Sequence, residues 1–150
     1  MSYQKLNQVT LPFTFHITHC DDSLQDIDTE TNYFIAVDMD SGYWKVLEEY
    51  VALKRLALFI PDGNWWCRVM PMGDLNVAST FVVMMMKLKM EWDTLAEEFG
   101  LKNVASKIIV NDVLLYGHTA DHILEYFRTV LDVLKHHCTT LKPKRCKCFQ

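Results

Sequence analysis

Acidic and amide side chains at the ends of apolar runs are the residues in this sequence best suited to chemistry. Asp38 directly follows the apolar run 33–37, and a carboxylate at the end of a buried strand lies at the rim of a sheet, where sites are usually built. Asn111 and Asp112 divide the segment 107–117 into two apolar halves, the pattern of a tight β-hairpin with this polar pair as its turn. The same pair also suits an ordinary surface turn. Chemistry therefore requires that the rest of the chain bring Asp38 to face the hairpin.

The hydrophobic pattern predicts the strands that position these residues. Residues 33–38 are a continuous apolar run of strand length that ends in a carboxylate, which favours a strand covered on both faces. Residues 51–60 and 65–70 predict a second hairpin, because Pro, Asp, Gly and Asn at 61–64 form a turn by composition.

Two helices follow from apolar residues that repeat every three or four positions. The first is expected to end before Gly100, and the second to begin at Thr119 as its cap. Residues 1–32 are polar and irregular, and proline at position 12 breaks any helix there. The order of strand, hairpin, helix, hairpin and helix predicts an α+β fold in two layers with an antiparallel sheet. The apolar stripes comprise Phe81, Met85, Leu88, Trp92, Leu95 and Phe99 in the first helix, and Ile123, Phe127, Val130 and Leu134 in the second.

Length and charge bound the class of protein. The chain has 150 residues, of which 50% are apolar, enough for one domain with its own core. Fifteen basic and 19 acidic residues give a formal net charge of −4, so no overall basic signature suggests nucleic acid. No apolar run approaches the length of a membrane helix, and the N-terminus lacks the apolar core of a secretory signal. We therefore expect a soluble intracellular protein, cytoplasmic or nuclear, that is not secreted and has no membrane partner.

Cysteines and basic residues collect near the C-terminus. Five cysteines at irregular spacing argue against a secreted disulfide framework and favour reduced thiols. Three of them lie near two histidines, but without the Cys-x-x-Cys spacing of most structural zinc sites. A solvated, disordered tail and a phosphate-binding surface both fit the local positive charge. That charge comes from Lys135, Lys142, Lys144, Arg145 and Lys147, with no acidic residue after position 132.

Five ordered motifs carry a resemblance to a known family. They are Val-Asp-Met-Asp-Ser-Gly-Tyr-Trp at 37–44, Phe-Ile-Pro-Asp-Gly at 59–63, Val-Met-Pro-Met-Gly-Asp-Leu-Asn-Val-Ala-Ser-Thr-Phe at 69–81, Ile-Ile-Val-Asn-Asp-Val-Leu-Leu-Tyr-Gly at 108–117, and Leu-Lys-Pro-Lys-Arg-Cys-Lys-Cys-Phe at 141–149. In this order they resemble the reverse transcriptase domain of gypsy-type long-terminal-repeat retrotransposons. The resemblance covers nearly the whole chain, from Tyr3 to Phe149.

The resemblance implies the architecture in more detail. It implies a polymerase palm, which is a ferredoxin-like or RRM-like antiparallel sheet with helices on one face, together with part of the fingers. Residues 33–44 and 76–150 would form the palm, and residues 1–32 and 45–75 the partial fingers. The chain would then be a single reverse transcriptase domain fragment that ends before the thumb and RNase H regions.

A two-magnesium site for nucleotidyl transfer follows from the same resemblance. Asp38, Asn111 and Asp112 would be the catalytic residues, and they would hold two Mg²⁺ ions with the main-chain carbonyl of Met39. Magnesium prefers hard oxygen ligands, commonly one or two carboxylates plus substrate phosphates, which suits these residue types.

Substrate-binding residues are also implied. Gln4, Lys5, Tyr43, Met72 and Gly73 would contact the incoming deoxynucleoside triphosphate. Tyr43 would lie under its sugar as a steric gate against a 2′-hydroxyl.

The resemblance also implies that the basic segment near the C-terminus binds nucleic acid. Lys142, Lys144 and Arg145 would contact an RNA or DNA template-primer. The remainder of a Pol polyprotein is the further partner that the resemblance implies.

The sequence departs from the family pattern at positions that matter for chemistry. Asn111 replaces the first aspartate of the Tyr-x-Asp-Asp motif, and Ile109 replaces its tyrosine. Gln4 stands where the family has a triphosphate-binding arginine, and Ala78 where it has a proline. An amide keeps one oxygen but loses the charge, and glutamine cannot fork onto phosphate as arginine does.

These departures lead to one leading function and two alternatives. The leading expectation is a fragment of a retrotransposon RNA-directed DNA polymerase whose catalysis is impaired. The alternatives are a non-catalytic nucleic-acid-binding module and a decayed retroelement reading frame without a selected function.

Overall fold

Two antiparallel sheets and three α-helices form the part of the chain that the structure describes. The structure is a computed structural model, and it describes residues 3–13, 15, 25–40, 42–47 and 56–148. The helices are α1 (Gln4–Asn7), α2 (Val77–Glu98) and α3 (Ala120–His136). The strands are β1 (Tyr33–Asp38), β2 (Ala57–Ile60), β3 (Gly63–Trp66), β4 (Val104–Ile109), β5 (Asp112–Gly117) and β6 (Lys147–Cys148). Short 3₁₀ helices cover Gly42–Lys45 and Pro143–Arg145.

The larger sheet has the strand order β4-β5-β1-β6, and each pair is antiparallel. Along β1 and β5 the side chains alternate between a buried face and a more open face. Ile35 and Val37 of β1 and Val113 and Leu115 of β5 are buried. Because successive strand residues point to opposite faces, Asp38 belongs to the open face.

Helices α2 and α3 cover the buried face of this sheet. Phe81, Met85 and Trp92 of α2 and Ile123 and Val130 of α3 are fully buried in one core with the strand residues. The predicted α+β fold with an antiparallel sheet is therefore confirmed. Each helix is amphipathic because it buries one apolar stripe against the sheet.

A buried polar network ties the two helices to β4. Trp92 donates its indole N–H to Ser106 Oγ at 3.1 Å, and the Tyr126 hydroxyl contacts the same Oγ at 2.9 Å. Tyr126 also donates to Asp93, and burial followed by this hydrogen bond raises the pKa of Tyr126. Each polar group in this part of the core has a partner, which avoids the cost of burying it unpaired.

The predicted hairpins exist, but both turns differ from the prediction. Ile60 pairs with Gly63, so the first turn is residues 61–62, and 63–64 belong to β3. Ile109 pairs with Asp112, so the second turn is Val110 and Asn111.

Other element boundaries differ as well. Residues 67–70 lie outside β3, and residues 51–55 of the predicted strand lie outside the described residues. The four-residue helix α1 interrupts the N-terminal segment that was predicted to be irregular. In addition, β1 has one buried face and one partly buried face, whereas its continuous apolar run predicted that both would be covered.

The predicted helix α2 is confirmed apart from the end of its apolar stripe. Phe99 is 68% exposed, whereas Ala96 is buried in its place. The helix ends one residue before Phe99, and Gly100 takes a φ of 69°, which turns the chain away. At the start of α3, Thr119 lies at the N-cap position, but within the described residues its side chain makes no capping hydrogen bond.

The expectation of a disordered tail is wrong for the described residues up to 148, although Lys144, Arg145 and Lys147 are exposed to solvent as expected. The 3₁₀ helix Pro143–Arg145 leads into β6, and β6 pairs with β1 through Ile35–Cys148 and Ala36–Lys147. The end of the basic segment, Lys147–Cys148, is therefore part of the sheet. Composition alone did not reveal this, because a two-residue strand has no periodicity to detect.

Gly42 allows the segment after β1 to approach helix α2. A Cβ built on Gly42 would lie 2.5 Å from Cζ of Phe81, whose side chain is fully buried. The ring of Phe81 also packs edge to face on Tyr43, with 5.1 Å between the ring centroids. The missing side chain of Gly42 therefore lets Phe81 hold Tyr43 in place.

We predict that Gly42→Ala destabilises the fold by about 1 to 3 kcal/mol, the range for inserting a methyl group into a filled core. The free energy of urea unfolding measures the effect. In the Phe81→Leu background the same change should cost less, because the shorter side chain leaves room for the methyl group. An equal cost in both backgrounds would show that contact with the Phe81 ring is not the cause.

Candidate functional site

The register of β1 against β5 brings two carboxylates together at one end of the sheet. Asp38 is paired directly with Asp112, the last residue of β1 with the first residue of β5. Directly opposed residues share a face, so both side chains lie on the open face. Asp38 is nevertheless buried, with only 9% of its surface exposed, whereas Asp112 is exposed.

The turn of the β4–β5 hairpin presents the amide of Asn111 beside this pair. Val110, the first turn residue, has a φ of 54°, an unusual value for a β-branched residue. The main-chain carbonyl of Asn111 accepts a hydrogen bond from Met39 N at 3.1 Å, which joins the turn to the end of β1. The strained turn is therefore fixed against the strand that carries Asp38.

A second segment fixes the end of β1 from its other side. Lys142 N donates to Asp38 O at 2.8 Å, and Asp40 N donates to Thr140 O at 2.7 Å. These bonds flank a bridge between Met39 and Leu141. Asp38 thus lies on a strand end that is hydrogen-bonded on both edges, which is a rigid position for a catalytic or binding group.

A cavity of about 200 Å³ collects most of the predicted site residues. The members predicted from the sequence are Asp38, Met39, Tyr43, Met72, Asn111, Asp112, Lys142 and Arg145, and Gly42 joins them. The predicted residues Gln4, Lys5, Gly73 and Lys144 do not line it. The structure therefore places Lys142 and Arg145, the basic pair, with the carboxylates, although the sequence analysis assigned them to a separate nucleic-acid contact. The roles of all these residues stay predictions.

The basic pair forms ion pairs with acidic residues at the end of β1. Arg145 Nη1 lies 3.1 Å from Asp38 Oδ2, and Lys142 Nζ lies 3.9 Å from Asp40 Oδ1. The Arg145 side chain is 71% exposed and that of Asp38 is 12% exposed. The guanidinium therefore reaches a nearly buried carboxylate from the solvent side.

The electrostatic environment acts most clearly on Asp112. Burial, followed by the nearby charge of Asp38, raises the pKa of Asp112 above its usual value. Arg145 and Lys142 act in the opposite direction but do not cancel the effect. The site therefore holds two carboxylates at some electrostatic cost, as sites that bind cations commonly do.

The donor set at this cavity fits a hard divalent cation. Asp38 and Asp112 supply carboxylate oxygens, and Asn111 Oδ1 is a buried oxygen without a hydrogen-bond partner among the described residues. A buried, unpaired oxygen is uncommon because it loses its hydration without compensation. A cation held by these three residues would satisfy it, and carboxylate and amide oxygens are ligands that Mg²⁺ and Ca²⁺ accept.

Two asparagines that sequence reasoning missed attach the N-terminal segment beside this site. Asn7 of α1 donates to Gly73 O at 2.9 Å and accepts from Leu75 N at 3.1 Å. Asn76 makes the same kind of double contact, with Leu11 O at 3.0 Å and Phe13 N at 2.7 Å. Helix α1 is thereby held next to the loop before α2.

Through Asn7, this attachment joins the helix that carries Gln4 and Lys5 to Gly73, although both side chains are exposed and lie outside the cavity. The nearby Tyr3 is partly buried, and burial followed by the Cys67 thiol raises its pKa to about 12. Sequence spacing gave no signal for these contacts, because the asparagine pairs join segments more than 60 positions apart.

A second group of metal-ligand residue types lies at the opposite end of β1 and β5. Asp28, Glu30 and His118 converge there, with His118 Nε2 3.4 Å from Asp28 Oδ2. Glu30 is 80% exposed and Asp28 58% exposed, so their attraction to His118 is that of ordinary surface ion pairs. The cysteine and histidine residues near the C-terminus do not form such a group within the described part of the chain.

The arrangement of this sheet and its helices is the fold of reverse transcriptase structures. The structure of a foamy viral protease-reverse transcriptase in complex with double-stranded DNA matches with a TM-score of 0.82 at 15% identity. A structure of the foamy viral enzyme in complex with an RNA/DNA hybrid matches with a TM-score of 0.79 at 16% identity. Both alignments cover 99% of this chain, but only 24% and 19% of the larger chains.

The proteins that are similar to this chain in sequence include two polymerase relatives. One is the retrovirus-related Pol polyprotein from transposon 297 of Drosophila melanogaster, 26% identical over 81 residues, which are 54% of this chain and 8% of the relative. The other is an RNA-directed DNA polymerase homolog of Oenothera berteroana, 29% identical over 92 residues, which are 61% of this chain and 64% of the relative. No protein-family model matches the chain. Across the described ranges, no helix combines the length and the apolar character needed to cross a membrane.

We predict that Asp112→Asn becomes more stabilising relative to the wild type as the pH rises. The folded-state pKa of Asp112 is raised, so its contribution to stability is present below the unfolded pKa and is lost as the pH rises through the folded pKa. Asparagine does not ionise and avoids this loss. Thermal unfolding at about pH 3 and about pH 7 measures the difference, since the ordinary pKa of aspartate is about 3.9.

The matched control is Asp62→Asn, the same chemical change in the exposed β2–β3 turn. A stability difference between Asp112→Asn and the wild type that stays constant with pH, or falls as the pH rises, would contradict the electrostatic explanation.

Proposed function

We propose that this chain is the palm and part of the fingers of an RNA-directed DNA polymerase from a gypsy-type long-terminal-repeat retrotransposon. The single observation that carries the proposal is the pairing of Asp38 with Asp112 beside Asn111 in one cavity, within a reverse transcriptase fold. Its substrates would be deoxynucleoside triphosphates and an RNA or DNA template-primer. The rest of a Pol polyprotein would supply the thumb and RNase H regions, and the location would be intracellular.

The proposed division into palm and fingers follows the two sheets. Residues 33–44 and 76–150 would form the palm, whose described part holds the four-stranded sheet and both long helices. Residues 1–32 and 45–75 would form the partial fingers. Their β2–β3 hairpin is a separate two-stranded sheet, which supports a boundary between the two parts.

Asp38, Asp112 and Asn111 would hold Mg²⁺, together with the main-chain carbonyl of Met39. Held there, the ion would supply charge neutralisation for the triphosphate and alignment of the 3′-hydroxyl for nucleotidyl transfer. The contribution of this chain is position, because hydrogen bonds fix the end of β1 on both edges and fix the Asn111 turn against it. Fixed ligands matter because misplacement by a fraction of an ångström weakens catalysis.

Tyr43 would orient the sugar of the incoming nucleotide at the other wall of the cavity. Its ring is held edge to face by Phe81, and the close approach of Gly42 to Phe81 keeps it there. Met72 lines the same cavity, and Gly73 follows it with a φ of 96°. A rigid aromatic side chain at this position would exclude a 2′-hydroxyl by its bulk.

The proposal includes impaired catalysis, because Asn111 lacks a charge that the chemistry uses. Its buried Oδ1 can accept a metal contact but brings no negative charge. If the missing charge removes about 4 kcal/mol of transition-state stabilisation, the rate falls about a thousandfold.

We predict that Asn111→Asp binds Mg²⁺ more tightly than the wild type, because it adds a third carboxylate to the cavity. In the absence of Mg²⁺ the same variant should be less stable, since the new charge lies beside Asp38 and Asp112. Calorimetric titration with Mg²⁺ measures the affinity, and thermal unfolding with and without Mg²⁺ measures the second effect. In primer extension on a primed RNA template, the wild type should stay near background.

The control for this experiment is Asn64→Asp, the same substitution at an exposed position of β3. It should leave Mg²⁺ affinity unchanged. Equal and tight binding by the wild type and Asn111→Asp, or robust primer extension by the wild type, would overturn the proposed defect.

Binding of nucleic acid without catalysis is the second candidate. It is favoured by the folded basic segment, which presents Lys144 and Arg145 as exposed side chains on one 3₁₀ helix beside the open face of the sheet. The structural neighbours in complex with double-stranded DNA and RNA/DNA hybrid support this kind of partner.

We predict salt-sensitive binding of an RNA–DNA hybrid that weakens when Lys142, Lys144 and Arg145 are all changed to Gln. Each lost phosphate contact should reduce the slope of log affinity against log salt by about one. Fluorescence anisotropy at several salt concentrations measures the slope. Binding that is absent, or that does not depend on salt, would count against this function.

A further inference from the structure

Arg145 stands out in the cavity because it already occupies the carboxylate that a cation would use. Its Nη1 lies 3.1 Å from Asp38 Oδ2. The two carboxylates of the cavity, Asp38 and Asp112, are matched by two cationic side chains, Arg145 and Lys142. The formal charges of these four lining residues therefore cancel before any metal ion arrives.

The guanidinium is held at this position by the backbone on either side of it. Arg145 N and Cys146 N both donate to Lys142 O, at 2.9 and 3.2 Å, while Lys142 N donates to Asp38 O. On the other side, Lys147 pairs with Ala36 of the strand that carries Asp38. The segments on both sides of Arg145 are thus hydrogen-bonded to β1, the strand that carries Asp38. This keeps the local concentration of the guanidinium near Asp38 high.

Simple geometry shows why Arg145 and a cation at Asp38 disfavour each other. A magnesium ion lies about 2.1 Å from its oxygen ligand. An ion held by Asp38 Oδ2 would therefore lie within about 5 Å of a guanidinium nitrogen that is itself 3.1 Å from that oxygen. Like charges at this separation repel, and one of them must move or bind more weakly.

We propose that Arg145 is a tethered counter-ion that competes with divalent cations for Asp38 and so limits metal loading of the cavity. This inference rests on the proposed function, because it concerns the same cavity. Arg145 and Asn111 then act in the same direction, because the first adds positive charge and the second withholds negative charge.

Binding of Mn²⁺, followed by calorimetry and by water-proton relaxation, tests the inference without any need for polymerase activity. Arg145→Gln should lower the dissociation constant for Mn²⁺ by about threefold to tenfold, the range of a partly screened charge interaction. Arg145→Lys keeps the charge and should bind much as the wild type does. Lys144→Gln removes one charge from the neighbouring residue, which does not line the cavity, and should change affinity less than Arg145→Gln.

Asp38→Asn identifies the site, since it should abolish the binding that Arg145→Gln strengthens. The gain should also shrink at about 1 M salt, where the screening length falls to about 3 Å. Equal affinity in Arg145→Gln and Lys144→Gln would overturn the role of Arg145 and leave the proposed function standing. Absence of Mn²⁺ binding in every variant, or binding that survives Asp38→Asn, would overturn this inference and the proposed metal site together.

Discussion

The pairing register of β1 and β5 is the constraint on which the rest of the site depends. It sets Asp38 opposite Asp112 on the open face and sends Ile35, Val37 and their β5 neighbours into the core. A slip of one residue would exchange the two faces, placing a carboxylate in the core and apolar groups at the cavity. The hydrophobic core and the carboxylate pair are therefore specified by the same hydrogen bonds. The burial that stabilises the sheet also fixes the geometry of the site.

The site is assembled against local preference, and the surrounding contacts compensate for it. Val110 takes a positive φ, Asn111 keeps a buried oxygen unpaired among the described residues, and Asp112 has a raised pKa. Strain of this kind persists where surrounding structure over-determines it, and it is concentrated at functional sites. Here the compensation comes from backbone hydrogen bonds within the chain. They join Met39 to the Asn111 turn, and the 140–142 segment to the end of β1. A plain surface turn would have no reason to retain these costs.

The sequence predicts the helices and long strands of this fold better than it predicts the turns and the pairing of short segments. A continuous apolar run predicts β1, and large apolar residues spaced by three and four positions predict α2, so the strand that carries Asp38 and the helix behind it follow directly. The hairpin turn is displaced by one residue because its register is set by β1, and a β-branched valine is not the residue that turn statistics favour. The path of the basic segment could not be predicted, because β6 has two residues and its pairing with β1 is entirely tertiary. For the same reason the sequence separated Arg145 from Asp38, which are 107 positions apart.

A fold and a charge balance are separate properties of this site. The register would be the same with either Asn or Asp at 111, since the main-chain carbonyl of that residue makes the contact with Met39. The side chain decides only how much negative charge the cavity offers to a cation. With Asn at 111 and Arg145 paired to Asp38, the lining charges are already balanced and a cation gains less on entering. Under the proposed function, a reverse transcriptase fold can therefore remain intact while these two side chains would lower its affinity for a metal ion, because neither belongs to the hydrophobic core that stabilises the fold.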